Sequence, residues 1–194
     1  MKRNSLFIIA ALMIAAVTAN GQKLKLKDGD KNVLANESVI NFEFSYDNVS
    51  VGKFKNEEEY ISKKKEEYNK KEAGKGDKWA EDWKSDRSRA YEPQFIEQFE
   101  EKSTLKNSKD AKYTLILTTT FIEPGFNVGV WRQNAYISAT ATIVETANRN
   151  NIVAVIEIEK SPGRDAMGVD FDTSWRISEA YAKAGKSLSK FLAK

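Results

Sequence analysis

Two short stretches carry most of the side chains that could recognise or transform another molecule. Glu123-Pro124-Gly125-Phe126-Asn127-Val128-Gly129-Val130-Trp131-Arg132 sets aromatics and an arginine on a glycine-shaped loop, and Ser161-Pro162-Gly163-Arg164-Asp165-Ala166-Met167-Gly168-Val169-Asp170-Phe171-Asp172 repeats the mixture. Aromatic and arginine side chains dominate binding hot spots, so Phe126, Trp131, Arg132, Arg164, Met167 and Phe171 are the candidate ligand- or partner-binding residues. The competing reading is that Pro-Gly makes tight turns and the aromatics fold back onto the core. Carboxylates share these stretches. Glu123, Asp165 and Asp170 are the candidates for paired-carboxylate hydrolysis of the glycosidase kind, and Asp165, Asp170 and Asp172 for oxygen ligands to a hard cation such as calcium. Capping of the helix that follows accounts for Asp172 more cheaply, and no full ligand set is visible, so no metal and no cofactor are expected.

Composition narrows the chemistry further. The chain has no histidine and no cysteine, which removes the commonest general base, the commonest zinc ligands, histidine-dependent serine and cysteine hydrolysis, and any disulfide. A chain so equipped is expected not to be an enzyme. Asp28-Gly29-Asp30-Lys31-Asn32 copies the start of an EF-hand loop, but Val33 and Val39 stand where calcium needs the glycine turn and the bidentate glutamate. Gly74-Lys75-Gly76-Asp77-Lys78 follows a charged helical stretch rather than a strand, so it reads as an interhelical hinge and not a phosphate cradle. Trp79 and Trp83 stand four apart beside Lys78, Lys84, Arg87 and Arg89; stacking on sugars or bases is conceivable, and core packing is the favoured reading.

The N-terminus speaks to destination. Lys2 and Arg3 precede an uncharged apolar run of 12 residues from Leu6 to Val17, and small or polar residues follow through Gly21, the three-part layout of a secretory signal peptide. That run is too short to cross a hydrocarbon core, for which a helix needs about 20 residues. Residues 1–21 are therefore expected to be removed, leaving an exported protein of the periplasm, the cell envelope or the medium, without an integral membrane span. Lack of cysteine means no lipobox. Losing Lys2 and Arg3 takes the formal charge from +3 to about +1, too near neutral to attract nucleic acid.

The elements that must position these groups follow from periodicity. Residues 22–38 form an N-terminal arm or an edge strand, and residues 39–194 a single α+β domain. Ile40, Phe42, Phe44 and Tyr46 alternate as a strand. A charged helical insertion occupies 53–110, with Glu57 to Lys71 as one helix, acids early and lysines late. A second helix begins near Trp79, and Pro93 separates it from a third whose stripe is Phe95, Ile96 and Phe99. Three strands follow at 113–122, 134–145 and 152–160 with short antiparallel connections, their inward sets including Ile137, Ala139, Ala141, Ile143 and Ile152, Ala154, Ile156, Ile158. A closing helix from about Thr173, capped by Asp172 or Thr173, presents Ile177, Tyr181, Ala184, Leu188 and Phe191 inward. The order strand-helices-strand-strand-strand-helix predicts a four-stranded, largely antiparallel sheet with helices on one face. An up-down-up course brings loops 123–133 and 161–171 to the same end of that sheet.

The segment from Tyr113 to Leu192, with Phe121-Ile122-Glu123-Pro124-Gly125-Phe126 and Arg176-Ile177-Ser178-Glu179-Ala180-Tyr181-Ala182-Lys183-Ala184-Gly185-Lys186, resembles an uncharacterised family of small exported proteins from Gram-negative bacteria. More remotely, the order of elements resembles envelope lipoprotein domains and the N-terminal domain of TolB-like proteins. These resemblances imply a periplasmic binding or assembly role with an envelope protein or polymer as partner, and bring no catalytic residues with them. A carboxylate-based hydrolase and a self-associating structural protein are the alternatives.

Overall fold

The structure is a computed structural model that describes residues 21–128, 131–163 and 173–193. Its elements run β1 (Lys23–Gly29), β2 (Val39–Ser45), β3 (Ser50–Val51), α1 (Glu57–Lys71), α2 (Lys75–Asp86), a π-helical turn (Arg87–Tyr91), α3 (Glu92–Glu101), β4 (Lys106–Asn107), β5 (Tyr113–Glu123), β6 (Phe126–Val128), β7 (Trp131–Gln133), β8 (Tyr136–Glu145), β9 (Asn148–Pro162) and α4 (Ser174–Leu192). The α+β class is as expected, but the sheet has seven strands rather than four, in the order β1-β9-β8-β5-β2-β4 with β3 also against β5. The pairs β1/β9, β9/β8 and β8/β5 are antiparallel and carry most of the sheet; β2 and β3 join β5 in parallel, and β4 joins β2 in parallel. The parallel pairing follows from connectivity, because the whole helical insertion lies between β2 and β5 and serves as a crossover.

The arm preceding β2 is an edge strand, with Leu24 and Leu26 half-buried and its lysines exposed. At its end and just past it, Asp28 and Asp30 turn their carboxylates onto backbone amides, Asp30 accepting from the Asn32 N–H at 2.9 Å as the cap of a short 3₁₀ turn. One sheet face is packed: Leu115, Leu117, Ile137, Ala141, Ile143, Ala154, Ile156 and Ile158 are fully buried under α3 and α4. The opposite face, with Ser138, Thr140 and Thr142, is half-exposed. Ile152 departs from its expected inward place and is 54% exposed, because a register shift sets Ile143 against Ala154 but Val144 against Ile152.

The charged insertion differs from its expectation in three ways. First, α1 and α2 are not joined by a loose hinge: a Cβ on Gly76 would stand 2.1 Å from the Lys65 carbonyl oxygen, so glycine lets the two helix backbones touch, and α2 already begins at Lys75. Second, Pro93 does not separate the second helix from the third. The π turn before it redirects the Glu92 N–H to the Arg87 carbonyl, and the helical path continues into α3 with the proline in its first turn. Third, the insertion is solvated only on its outer side. Tyr60, Tyr68, Trp79, Trp83, Tyr91, Phe95 and Phe99 are all buried; Phe95 and Phe99 meet Phe42 edge-on at 6.0 and 5.1 Å, and Tyr91 stacks on Tyr181 at 5.1 Å. A buried carboxylate ties this layer together: Glu57 accepts from the Trp83 indole at 2.8 Å and pairs with Arg87. No helix among the described residues is long and apolar enough to cross a membrane.

Candidate functional site

Register fixes which ends of the strands meet. Glu123 at the end of β5 lies opposite Tyr136 at the start of β8, and Tyr136 lies opposite Pro162 at the end of β9. The segments after β5 and after β9 therefore leave from one end of the sheet, as the up-down-up course requires. Arg164, Met167 and Phe171, with Asp165, Asp170 and Asp172, lie outside the described residues.

The first segment is a two-stranded ribbon rather than an irregular loop. β6 and β7 pair antiparallel with Phe126 opposite Gln133, residue 127 opposite Arg132 and residue 128 opposite Trp131. Facing residues share a side of a ribbon and alternate residues share it again, so Phe126 and Trp131 stand on one face and Arg132 on the other. The expected cluster is thus divided: aromatics together, guanidinium behind them. Phe126 is 42% exposed and Trp131 is 74% exposed. The fold-back reading fails for this pair.

The root of the ribbon is held tightly. Gly125 has φ +73, and a Cβ there would lie 2.8 Å from both the Gln133 carbonyl oxygen and the Ala135 nitrogen. Its N–H donates to the Glu123 carboxylate at 3.0 Å, and the buried Arg176 of α4 donates from Nε to the Pro124 carbonyl at 3.2 Å. Glu123 is partly buried here, and that desolvation raises its carboxyl above the usual range; the Tyr136 phenol is raised by burial and then by the nearby Glu123 charge. Between the root and α1 runs a groove lined by Phe54, Tyr60, Lys64, Tyr68, Glu123 and Phe126. Among the described lining residues Glu123 is the one carboxylate, so the paired acids of a glycosidase are not assembled from them.

At the start of α4, Thr173 occupies the cap position without a side-chain hydrogen bond to the helix, and Asp172, the other expected cap, lies outside the described residues. Trp175 in its first turn is 58% exposed, a surface aromatic not singled out from the sequence. Its signal is periodic. Ile177, Tyr181, Ala184 and Leu188 define the buried stripe, with the Tyr181 hydroxyl hydrogen-bonded to that of Thr119 at 2.6 Å, and residue 175 falls off that stripe. Trp79 and Trp83 are buried, as the core reading holds.

No protein-family model matches the chain, and no curated protein matches it. Among solved structures it is similar to the PelC dodecamer from Paraburkholderia phytofirmans, at 8% identity and TM-score 0.38 over 85% of this chain and 97% of that one. A single-substitution variant of that dodecamer gives 9% identity and TM-score 0.37 over 84% and 96% of the two chains. At such identity and TM-score the likeness carries no conclusion about function.

Proposed function

We propose that the chain is an exported, non-enzymatic binding or assembly module of the bacterial envelope, engaging an envelope protein or polymer through the sheet end formed by segments 123–133 and 161–171. One observation carries the reading: Trp131, 74% exposed, shares a ribbon face with Phe126, 42% exposed. Keeping two large aromatic side chains in water forgoes burial worth about 1.5–3 kcal/mol for a side chain of that class, so a covering partner is the natural counterpart. The tightly held root fits a preformed contact surface, which loses little conformational freedom on binding. The signal-peptide pattern in residues 1–21 supports the compartment.

The test is envelope retention. Replacing both Phe126 and Trp131 by alanine is expected to shift the exported chain from the envelope-bound to the soluble fraction, with Tm within about 2 °C of the parent, since exposed side chains contribute less than about 0.5 kcal/mol to stability. Unchanged retention contradicts the reading. The hydrolase alternative rests on Glu123 as a groove carboxylate whose partial burial shifts its carboxyl upward, the direction a general acid needs. Glycan and ester hydrolysis that disappears in Glu123→Gln would favour it.

A further inference from the structure

Gly21 and Gln22, neighbours in sequence, sit in opposite surroundings. Gly21 is exposed, and a Cβ there would meet nothing within 4 Å. The side chain of Gln22 is docked on α4, its Oε1 accepting from the Ser187 hydroxyl at 2.7 Å, and β1 follows at once with Lys23 opposite Glu159. The two halves of the Gln22 amide are treated differently. Its Nε2 is buried and has no hydrogen-bond partner, although an amide NH₂ shut away from water without an acceptor is costly to keep.

Two cuts fit the small-residue rule of the leader pattern: Val17 and Ala19 suit one after Ala19, and Ala19 and Gly21 suit one before Gln22. The second creates a free α-amine on the very residue whose amide is docked, next to a side-chain NH₂ that nothing holds. Granted the export proposed above, we propose that the mature chain begins at Gln22 and that this residue closes to pyroglutamate, with Ser187 holding the carbonyl under attack.

The chemistry needs no co-reactant. An α-amine has a pKa near 8, so about a tenth of it is deprotonated at pH 7. Its nitrogen lone pair attacks Cδ of the side chain, the new C–N bond closes a five-membered lactam, and the bond from Cδ to Nε2 breaks. Nε2 leaves as ammonia, carrying its two hydrogens and the proton that the amine gives up. Negative charge develops on Oε1 during the attack, and Oε1 is the atom to which the Ser187 hydroxyl already donates. The product keeps a carbonyl as acceptor for Ser187 and loses the buried donor that had no acceptor. It also loses the α-ammonium charge at the head of a strand whose Lys23, Lys25 and Lys27 are all exposed.

Mass spectrometry of the exported full-length gene product, intact and after digestion, tests it. The expected species spans residues 22–194 and is lighter by one ammonia than that sequence. A mature chain starting at Asn20, or at Gln22 with its side-chain amide retained, overturns the proposal and leaves export standing; a chain that keeps residues 1–21 overturns export, and the proposal with it. The part of Ser187 is read from a chain whose residues 1–21 are replaced by a cleavable tag and which is freed at Gln22 after folding. Ser187→Ala is expected to slow its ammonia loss about tenfold, the worth of one hydrogen bond, with thermal melts confirming that the variant stays folded. Equal rates in the parent and the variant would contradict the role given to Ser187.

Discussion

The helical insertion and the β6–β7 ribbon hold similar aromatic side chains and treat them in opposite ways. In the insertion, half of the residues are charged, yet Trp79 and Trp83, four apart, and Phe95 and Phe99, four apart, are all buried. A spacing of four keeps each pair on one helix face, and that face meets β2, α1 or α4. In the ribbon, Phe126 and Trp131 also share a face, but no second layer among the described residues covers it. Composition alone would have placed the core in the wrong region. What decides the fate of an aromatic is whether its periodicity meets an opposing layer, and the ribbon is where it does not.

Breaking the insertion should cost most. Phe95→Ala removes a fully buried ring from contact with Phe42, Phe44 and Phe99, and about 3–5 kcal/mol of stability should be lost in denaturant unfolding. Glu57→Ala comes next: it leaves the Trp83 indole N–H and the Arg87 guanidinium without their acceptor, at a cost of about 2–3 kcal/mol by the same measurement. At the ribbon root, Gly125→Ala forces a side chain into positive φ and against backbone, so a loss of about 1–3 kcal/mol is expected together with altered amide shifts for residues 126–133. A smaller effect sharpens the contrast. The Glu123 carboxyl is raised in the fold, so the folded state holds its proton more tightly than the unfolded chain. Stability from this group therefore falls as pH rises from its unfolded value through its folded one. Above that window Glu123→Gln should slightly raise Tm while keeping an acceptor for the Gly125 N–H, and below it the two proteins should melt together.

Much of this was legible in sequence because local signals agreed. Acids early and lysines late from Glu57 to Lys71 marked α1 residue for residue, and the structure adds its cap, the Asn56 side chain accepting from the Glu59 N–H at 2.9 Å. The alternations from Tyr113 and from Ala135 marked β5 and β8, and their course placed both segments at one end. What escaped was set by distant partners. β3 and β4 have two residues each, too few for any period, and exist because β5 and β2 offer them an edge. Pro93 looked like a stop because the π turn that accommodates it has no pattern of its own. Ile152 was misplaced by a bulge that alternation does not announce. At the site, Phe126, Trp131 and Arg132 were found as a set, but their division between two faces needed the ribbon register.

The central claim is that the aromatic ribbon face is kept open for a partner. In-cell photo-crosslinking from position 131, with position 64 on α1 as the control and mass spectrometry of the products, tests it most directly. The account predicts one envelope component captured from 131, absent from 64, and lost when Phe126 is replaced by alanine. The same products from both positions, or none from 131, would contradict it.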